Sequence, residues 1–313
     1  MARAFVFPGQ GSQTVGMGRA LAEAFGPARL VLEEVDDALG QSLSRLMFEG
    51  PEDELTLTEN AQPAIMAASL AVVRVLEQEG GVDLSESALC VAGHSLGEYS
   101  ALAAVGALDL PDAARLLKRR GRAMQEAVPP GEGAMAALLG LELEAVRELA
   151  QEAAGDEVCA AANDNAPGQV VVSGHAAAVE RAIALAGERG AKRAIPLPVS
   201  APFHCALMAP AADVMAEALA EIILAPPRLP LVANVTASLV GEPEKIRLLL
   251  VEQVTAMVRW RESVLAMREE GVETLVELGA GKVLGGLTRR IDRDLASLSV
   301  GAPADVEALL KEL

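Results

Sequence analysis

Val91-Ala92-Gly93-His94-Ser95-Leu96-Gly97-Glu98 is the stretch that decides how this chain is read. The apolar run 88–92 (Ala-Leu-Cys-Val-Ala) predicts a buried strand, and Leu96, Ser100, Ala101, Ala104 and Val105 predict a helix from Leu96 onward. Between them, Gly93-x-Ser95-x-Gly97 fits a strand-to-helix nucleophile elbow. A turn that tight has no room for side chains on either side, so both flanking positions are glycine and the serine is pushed to the tip. The Leu96 amide opens the helix, where an oxyanion formed by serine attack would meet an N–H and the positive end of the helix dipole. A bare G-x-S-x-G also occurs in ordinary strand–helix turns. The strand before it and the helix after it are what point to a reactive serine.

At 313 residues the chain can hold one large domain or two unequal ones. Hydrophobic residues make up 51% but aromatics only 2%, so the core must be built from Ala, Leu, Val and Met, which favours helices packed closely on a sheet. The net charge of −18 argues against nucleic acid and against an anionic membrane surface as partners. Basic residues do cluster locally, at Lys118-Arg119-Arg120-x-Arg122, at Arg189, Lys192 and Arg193, and at Arg289, Arg290 and Arg293. The three cysteines, Cys90, Cys159 and Cys205, lack metal-ligand spacing, which favours a reduced compartment. With no leader-like start and no membrane-length apolar run, the expectation is a soluble cytoplasmic protein.

The first strand, 2–7, runs into Pro8-Gly9-Gln10-Gly11-Ser12-Gln13. That turn lacks the spacing and the lysine of a nucleotide cradle, and its alternative use is a second amide donor facing Ser95. Residues 27–79 read as helices separated by polar turns, the last a long one entered through Thr58-x-x-Ala61-Gln62-Pro63. The helix from Pro111 keeps Arg115, Arg119, Arg122 and Glu126 on a wet face and Ala113, Leu117, Met124 and Val128 on an inner stripe. Arg120 falls within the inner stripe. An inward guanidinium needs an anion, which could be a core carboxylate or the carboxylate of a substrate held bidentately; snorkelling to the surface is the other way out.

After Pro129-Pro130-Gly131 the order is β-α-β-β-α-β: strand 133–140, helix 142–153, strands 157–162 and 169–173 around an Asn163–Gly168 turn, helix 176–189 and strand 191–197. That is a ferredoxin-like arrangement, so residues 130–197 read as a small domain inserted into a larger one made of 1–129 and 198–313. The larger one resumes at Pro198-Val199-Ser200-Ala201-Pro202-Phe203-His204. Of three histidines, His94 should point away from the serine tip and His175 should lie on the surface, which leaves His204 as the general base. A strand at 229–235 precedes a helix from Glu244 that carries Gln253 on its inner face. A buried amide there either satisfies the core or orients a histidine. Another helix at 260–270, a strand at 273–278, a helix at 283–293, a strand at 295–300 and an acidic C-terminal helix complete the reading.

Taken in order, several segments resemble the malonyl-CoA:acyl carrier protein transacylases over essentially the whole chain. They are 9–13 (Gly-Gln-Gly-Ser-Gln), Gln62-Pro63, the 93–100 elbow, Arg120-Gly121, Asn163-x-Asn165-x-Pro167-Gly168-Gln169, Pro202-Phe203-His204, Gln253 and Gly279-x-Gly281-Lys282-Val283-Leu284. The resemblance implies an α/β-hydrolase-like core with a parallel sheet plus the ferredoxin-like insertion. It implies Ser95 as nucleophile, His204 as base, the Gln253 backbone carbonyl holding the histidine, and Gln10 and Leu96 amides as the oxyanion hole. Arg120 would hold the malonyl carboxylate, with Gln62, Phe203 and Asn165 lining the pocket. No metal or cofactor is implied. The partners would be malonyl-CoA and an acidic carrier protein, and separately from the resemblance the clusters with Arg189, Lys192, Arg193, Arg289 and Arg290 are expected to border the cleft mouth as a basic docking rim, on a monomer. Two positions depart from the family: no proline stands in Met257-Val258-Arg259 before Trp260, and Ala201 replaces a glycine or other small residue. The competing readings are a serine thioesterase or esterase sharing the elbow, and a non-catalytic carrier-protein docking subunit. A hydrolase of that type needs an acid between Ser95 and His204 in chain order, and Asp164 is placed in the predicted turn instead.

Overall fold

A computed structural model describes residues 2–312, which form a mixed α/β architecture with two separate sheets. The strands in chain order are β1 (Arg3–Phe7), β2 (Cys90–Gly93), β3 (Gly133–Leu139), β4 (Cys159–Ala166) and β5 (Gln169–His175). They continue with β6 (Arg193–Pro196), β7 (Leu231–Ala233), β8 (Ser238–Val240), β9 (Thr274–Leu278) and β10 (Ala296–Val300). The larger sheet runs β10-β9-β1-β2-β7-β8, parallel throughout except for the terminal β7–β8 hairpin. Ala4, Phe5, Val6 and Phe7 of β1 are fully buried, as expected of a central parallel strand covered on both faces. The smaller sheet, β4-β5-β3-β6, is antiparallel, with the helices Leu143–Ala154 and Ala176–Glu188 packed against it around their own apolar cluster.

Two helices of the main body matter most for the site. Thr58–Gln78 is buried on nearly every face, and Leu110–Glu126 lies against it. The contact is close enough that a Cβ on Gly121 would sit 2.5 Å from the Thr58 carbonyl oxygen. That approach sets Arg120 directly opposite Gln62. Among the described residues, no helix is long and apolar enough to cross a membrane.

Three local expectations change. The polar Asn163-Asp164-Asn165 run is not a turn but the end of β4, and only Pro167-Gly168 reverse the chain. The strand persists because Val258 lies alongside it. The Val258 N–H donates to the Ala162 carbonyl and the Asp164 N–H to the Val258 carbonyl, both at 2.9 Å, while two bulges absorb the irregularity. Tertiary pairing therefore overrides turn propensity. The strand expected at 229–235 shortens to Leu231–Ala233 and gains the unforeseen hairpin partner β8. His175 is half-buried at the start of its helix, where Nδ1 accepts from the Val158 N–H at 2.9 Å, so it is not a plain surface residue.

Candidate active site

β2 ends at Gly93, the helix Gly97–Ala104 begins four residues later, and Ser95 sits between them with φ at 52°. A Cβ on Gly93 would fall 1.9 Å from the Gly97 carbonyl carbon, and one on Gly97 would fall 2.3 Å from the Phe7 carbonyl oxygen. Glycine is therefore required at both positions by contact. The strained serine is pinned from outside by Asn234, just past β7. Its Oδ1 accepts the Ser95 N–H at 2.8 Å and its Nδ2 donates to the Gly93 carbonyl at 2.7 Å.

His204, also at positive φ (58°), brings Nε2 to 2.8 Å from Ser95 Oγ. Its Nδ1 faces two carbonyls, Gln253 at 2.9 Å and Ala256 at 3.1 Å. A nitrogen between two acceptors carries the proton, which leaves Nε2 free to accept from the serine hydroxyl. Gln253 follows directly on the helix Pro243–Glu252, so its carbonyl reaches the imidazole with no proline ahead of Trp260. Burial, and next the charge of Arg120, push His204 down to about 3.

Arg120 is 1% exposed, and no carboxylate lies within ion-pair distance of it among the described residues. Its guanidinium meets neutral oxygens: Gln62 Oε1 at 2.7 Å from Nη1, and Ser95 Oγ at 3.0 Å and Gln253 Oε1 at 2.9 Å from Nη2. Nε is buried without a partner, and the Tyr99 ring lies 5.8 Å from the guanidinium carbon. Neither the core ion pair nor snorkelling applies. The fork is held in place by amides and a hydroxyl.

Ser95, His204 and Arg120 border a cavity of about 380 Å³ whose walls include Gln10, Gln62, Leu96, Met124, Met135 and Phe203. The main-chain N–H groups of Gln10 and Leu96 donate to no acceptor among the described residues. Asn165 does not line the cavity. Its Oδ1 lies 2.9 Å from His94 Nε2, and Asn163, two residues earlier, takes the wall position. The bulge after Asp164 breaks the strand alternation that would have kept the two asparagines equivalent. His94 is held by that amide and by the Trp260 ring, 5.7 Å away and tilted. Asp164 is committed elsewhere, with Oδ2 2.8 Å from Arg261 Nε.

Three residues at the site escaped sequence reasoning: Asn234, Tyr99 and Glu98. Glu98 is 1% exposed, and burial pushes its carboxyl up to about 8. Its signal was available, since an acid in the first turn of an otherwise apolar helix has to find donors. Asn234 and Tyr99 carry no such mark.

Contrary to the expectation that they border the cleft mouth, none of the five rim residues lines the cavity. Arg189 pairs with Glu152, Arg290 donates to Gln169 Oε1 at 2.6 Å, and Lys192, Arg193 and Arg289 enter no ion pair among the described residues. The two clusters do share one end of the small sheet, because Gln169 and Arg193 both register against Leu139.

Residues 4–297 match the acyl transferase domain family. The malonyl CoA-acyl carrier protein transacylase of Escherichia coli (strain K12) is 48% identical over 308 residues, 98% of each chain. The enzyme of the same name from Bacillus subtilis (strain 168) is 45% identical over 312 residues, 99% of this chain and 96% of that one. The crystal structure of acyl-carrier-protein-S-malonyltransferase from Bartonella henselae superposes with a TM-score of 0.98 at 55% identity, covering 100% of this chain and 99% of that one. A malonyl-transacylase solved in complex with a type II PKS acyl-carrier protein gives 0.96 at 45% identity over both full lengths. By sequence and by fold, over nearly its whole length, the chain belongs to the malonyl CoA-acyl carrier protein transacylase family of acyl transferases.

Proposed function

We propose that this acyltransferase moves the malonyl group from malonyl-CoA to the phosphopantetheine thiol of acyl carrier protein, through a malonyl ester on Ser95, supplying fatty acid synthesis. The observation that carries this reading is a fully buried guanidinium with neutral partners, 3.0 Å from the nucleophilic oxygen. Such a charge is costly unless an anion completes it, and the free carboxylate of a malonyl group attached to Ser95 supplies one within reach.

In the first half-reaction His204 Nε2 takes the Ser95 proton as Oγ attacks the thioester carbonyl. The developing oxyanion is received by the Gln10 and Leu96 amides, and losing one such donor typically costs about 10²–10³ in rate. Coenzyme A leaves with the proton from His204. The carrier thiol then gives its proton to His204, attacks the ester and regenerates Ser95. The malonyl carboxylate has a second effect: it neutralises the charge that depresses His204, so the base strengthens when the right acyl group is bound. Gln62 and Phe203 shape the acyl pocket, and Gln253 orients His204 through its carbonyl.

The same reading divides the chain into an α/β-hydrolase-like catalytic domain, 1–129 and 198–313, and an inserted ferredoxin-like subdomain, 130–197. The strand order β4-β5-β3-β6 with two helices against one layer supports the latter. The enzyme would act in the cytoplasm as a monomer and meet its acidic carrier protein at the shared basic edge of Arg189, Lys192, Arg193, Arg289 and Arg290. Intact-protein mass spectrometry after mixing with malonyl-CoA, then with holo carrier protein, tests the cycle. A malonyl adduct on Ser95 that passes to the carrier is expected. Free malonate with no carrier product would mean a thioesterase instead.

A further inference from the structure

Glu98 stands directly behind the elbow, on the first turn of the helix Gly97–Ala104, and touches none of the reacting atoms. Both of its oxygens accept. Oε1 takes the Asn234 N–H at 2.5 Å and Oε2 takes the Gln253 side-chain Nε2 at 2.5 Å. Neither partner, as oriented, accepts a proton in return, so both contacts pull against the burial that pushes this carboxyl up. With Nε2 committed to Glu98 and to the Ser95 carbonyl at 3.0 Å, the Gln253 amide must present Oε1 in the opposite direction, where Arg120 Nη2 meets it at 2.9 Å. The buried acid and the buried guanidinium are thus joined through one amide, without touching.

We propose that Glu98 is a positioning residue for malonyl transfer, acting on Arg120 through the Gln253 side chain, whose amide it orients. The arrangement answers two opposing requirements. A guanidinium buried with no anion nearby is strongly disfavoured, whereas one in direct contact with a protein carboxylate would have its fork occupied before substrate arrived. An interposed amide fixes the orientation of the guanidinium while leaving N–H groups for the ligand. Gln253 thereby serves two masters: its carbonyl holds the base, and its side chain, aimed by Glu98, holds the clamp.

This inference rests on the reading of Arg120 as a malonyl clamp, and the experiment separates the two. The measured quantity is the ratio of kcat/KM for malonyl-CoA to that for acetyl-CoA, in wild type, Glu98→Gln, Gln253→Ala, the double variant and Arg120→Met. Glutamine at 98 puts an NH2 where an acceptor stood, turns the Gln253 amide over and sets donor against donor at Arg120. Loss of a hydrogen bond to a charged group predicts a ratio lowered roughly tenfold or more in each single variant. The double variant should fall no further than the larger single loss, because the two residues form one path. Loosening the elbow through Asn234 slows both substrates alike and leaves the ratio untouched, so a shared fall at constant ratio overturns the proposal, as does additivity. If Glu98→Gln does not fold, Gln253→Ala decides alone, and an unchanged ratio there is fatal. An unchanged ratio in Arg120→Met would instead sink the clamp reading itself.

Discussion

Replacing Arg120 by methionine removes the fork and keeps most of its buried length. In the free site the guanidinium contacts Gln62, Ser95 and Gln253 between 2.7 and 3.0 Å, all through neutral oxygens. A malonyl carboxylate would be its one full anionic partner, in a cavity of about 380 Å³ where the arginine itself is buried. Truncating one side of a buried, hydrogen-bonded charge pair costs about 2–5 kcal/mol. At about 1.4 kcal/mol per tenfold, that is roughly 30-fold to a few thousandfold in the rate of Ser95 malonylation. Acetyl has no carboxylate and loses none of this. It also gains a base relieved of the second cause that depresses His204. Single-turnover quench-flow with malonyl-CoA and acetyl-CoA, following acyl-Ser95 directly, should show malonylation collapsing while acetylation holds or rises. A parallel fall in both would refute the argument, because it would mean Arg120 supports the dyad rather than the substrate.

Gly93→Ala should destabilise the fold by about 3 kcal/mol or more, since the new Cβ would lie 1.9 Å from the Gly97 carbonyl carbon; an unchanged denaturant midpoint would contradict the packing of the elbow. His204 is held near 3 in the native state against an ordinary 6.5, so only the unfolded chain binds that proton as pH falls below about 6.5. Stability should therefore decline between about pH 6.5 and 3, by at most about 1.4 kcal/mol per unit from this group. His204→Asn should show a shallower decline in urea titrations at pH 7.5 and 5.5. Reversing Lys192, Arg193 and Arg289 together to glutamate should raise KM for the carrier protein and flatten its salt dependence while sparing malonylation by malonyl-CoA. No change in carrier kinetics would place docking elsewhere.

Much of the site was visible along the chain because its constraints are local. Gly93 is demanded by contacts within one turn, and an arginine three after Leu117 and four before Met124 falls on the inner stripe of its helix. The asparagine run at 163–165 misled because its fate depended on Val258, nearly a hundred residues later, which supplies the strand-like pairing that turn propensity cannot anticipate. Asn165 went with it: a bulge decided which asparagine faces the cavity. The rim illustrates a different limit. Clustering in sequence showed where positive charge accumulates, but only the register of β3, β5 and β6 shows that two distant clusters share an edge.

The amino-acid order alone determined the strand–Ser95–helix elbow, the inward Arg120 and the histidine left by elimination, since each follows from periodicity, turn sterics or the scarcity of a residue type. It could not determine what Arg120 meets. That the guanidinium finds amides and a hydroxyl rather than an acid, and that Glu98 reaches it only across Gln253, depends on helices far apart in sequence packing to within hydrogen-bond distance. Burial makes that distinction decisive. In water the two arrangements would differ little, whereas in a dry interior the position of one carboxylate decides whether the clamp is filled or free.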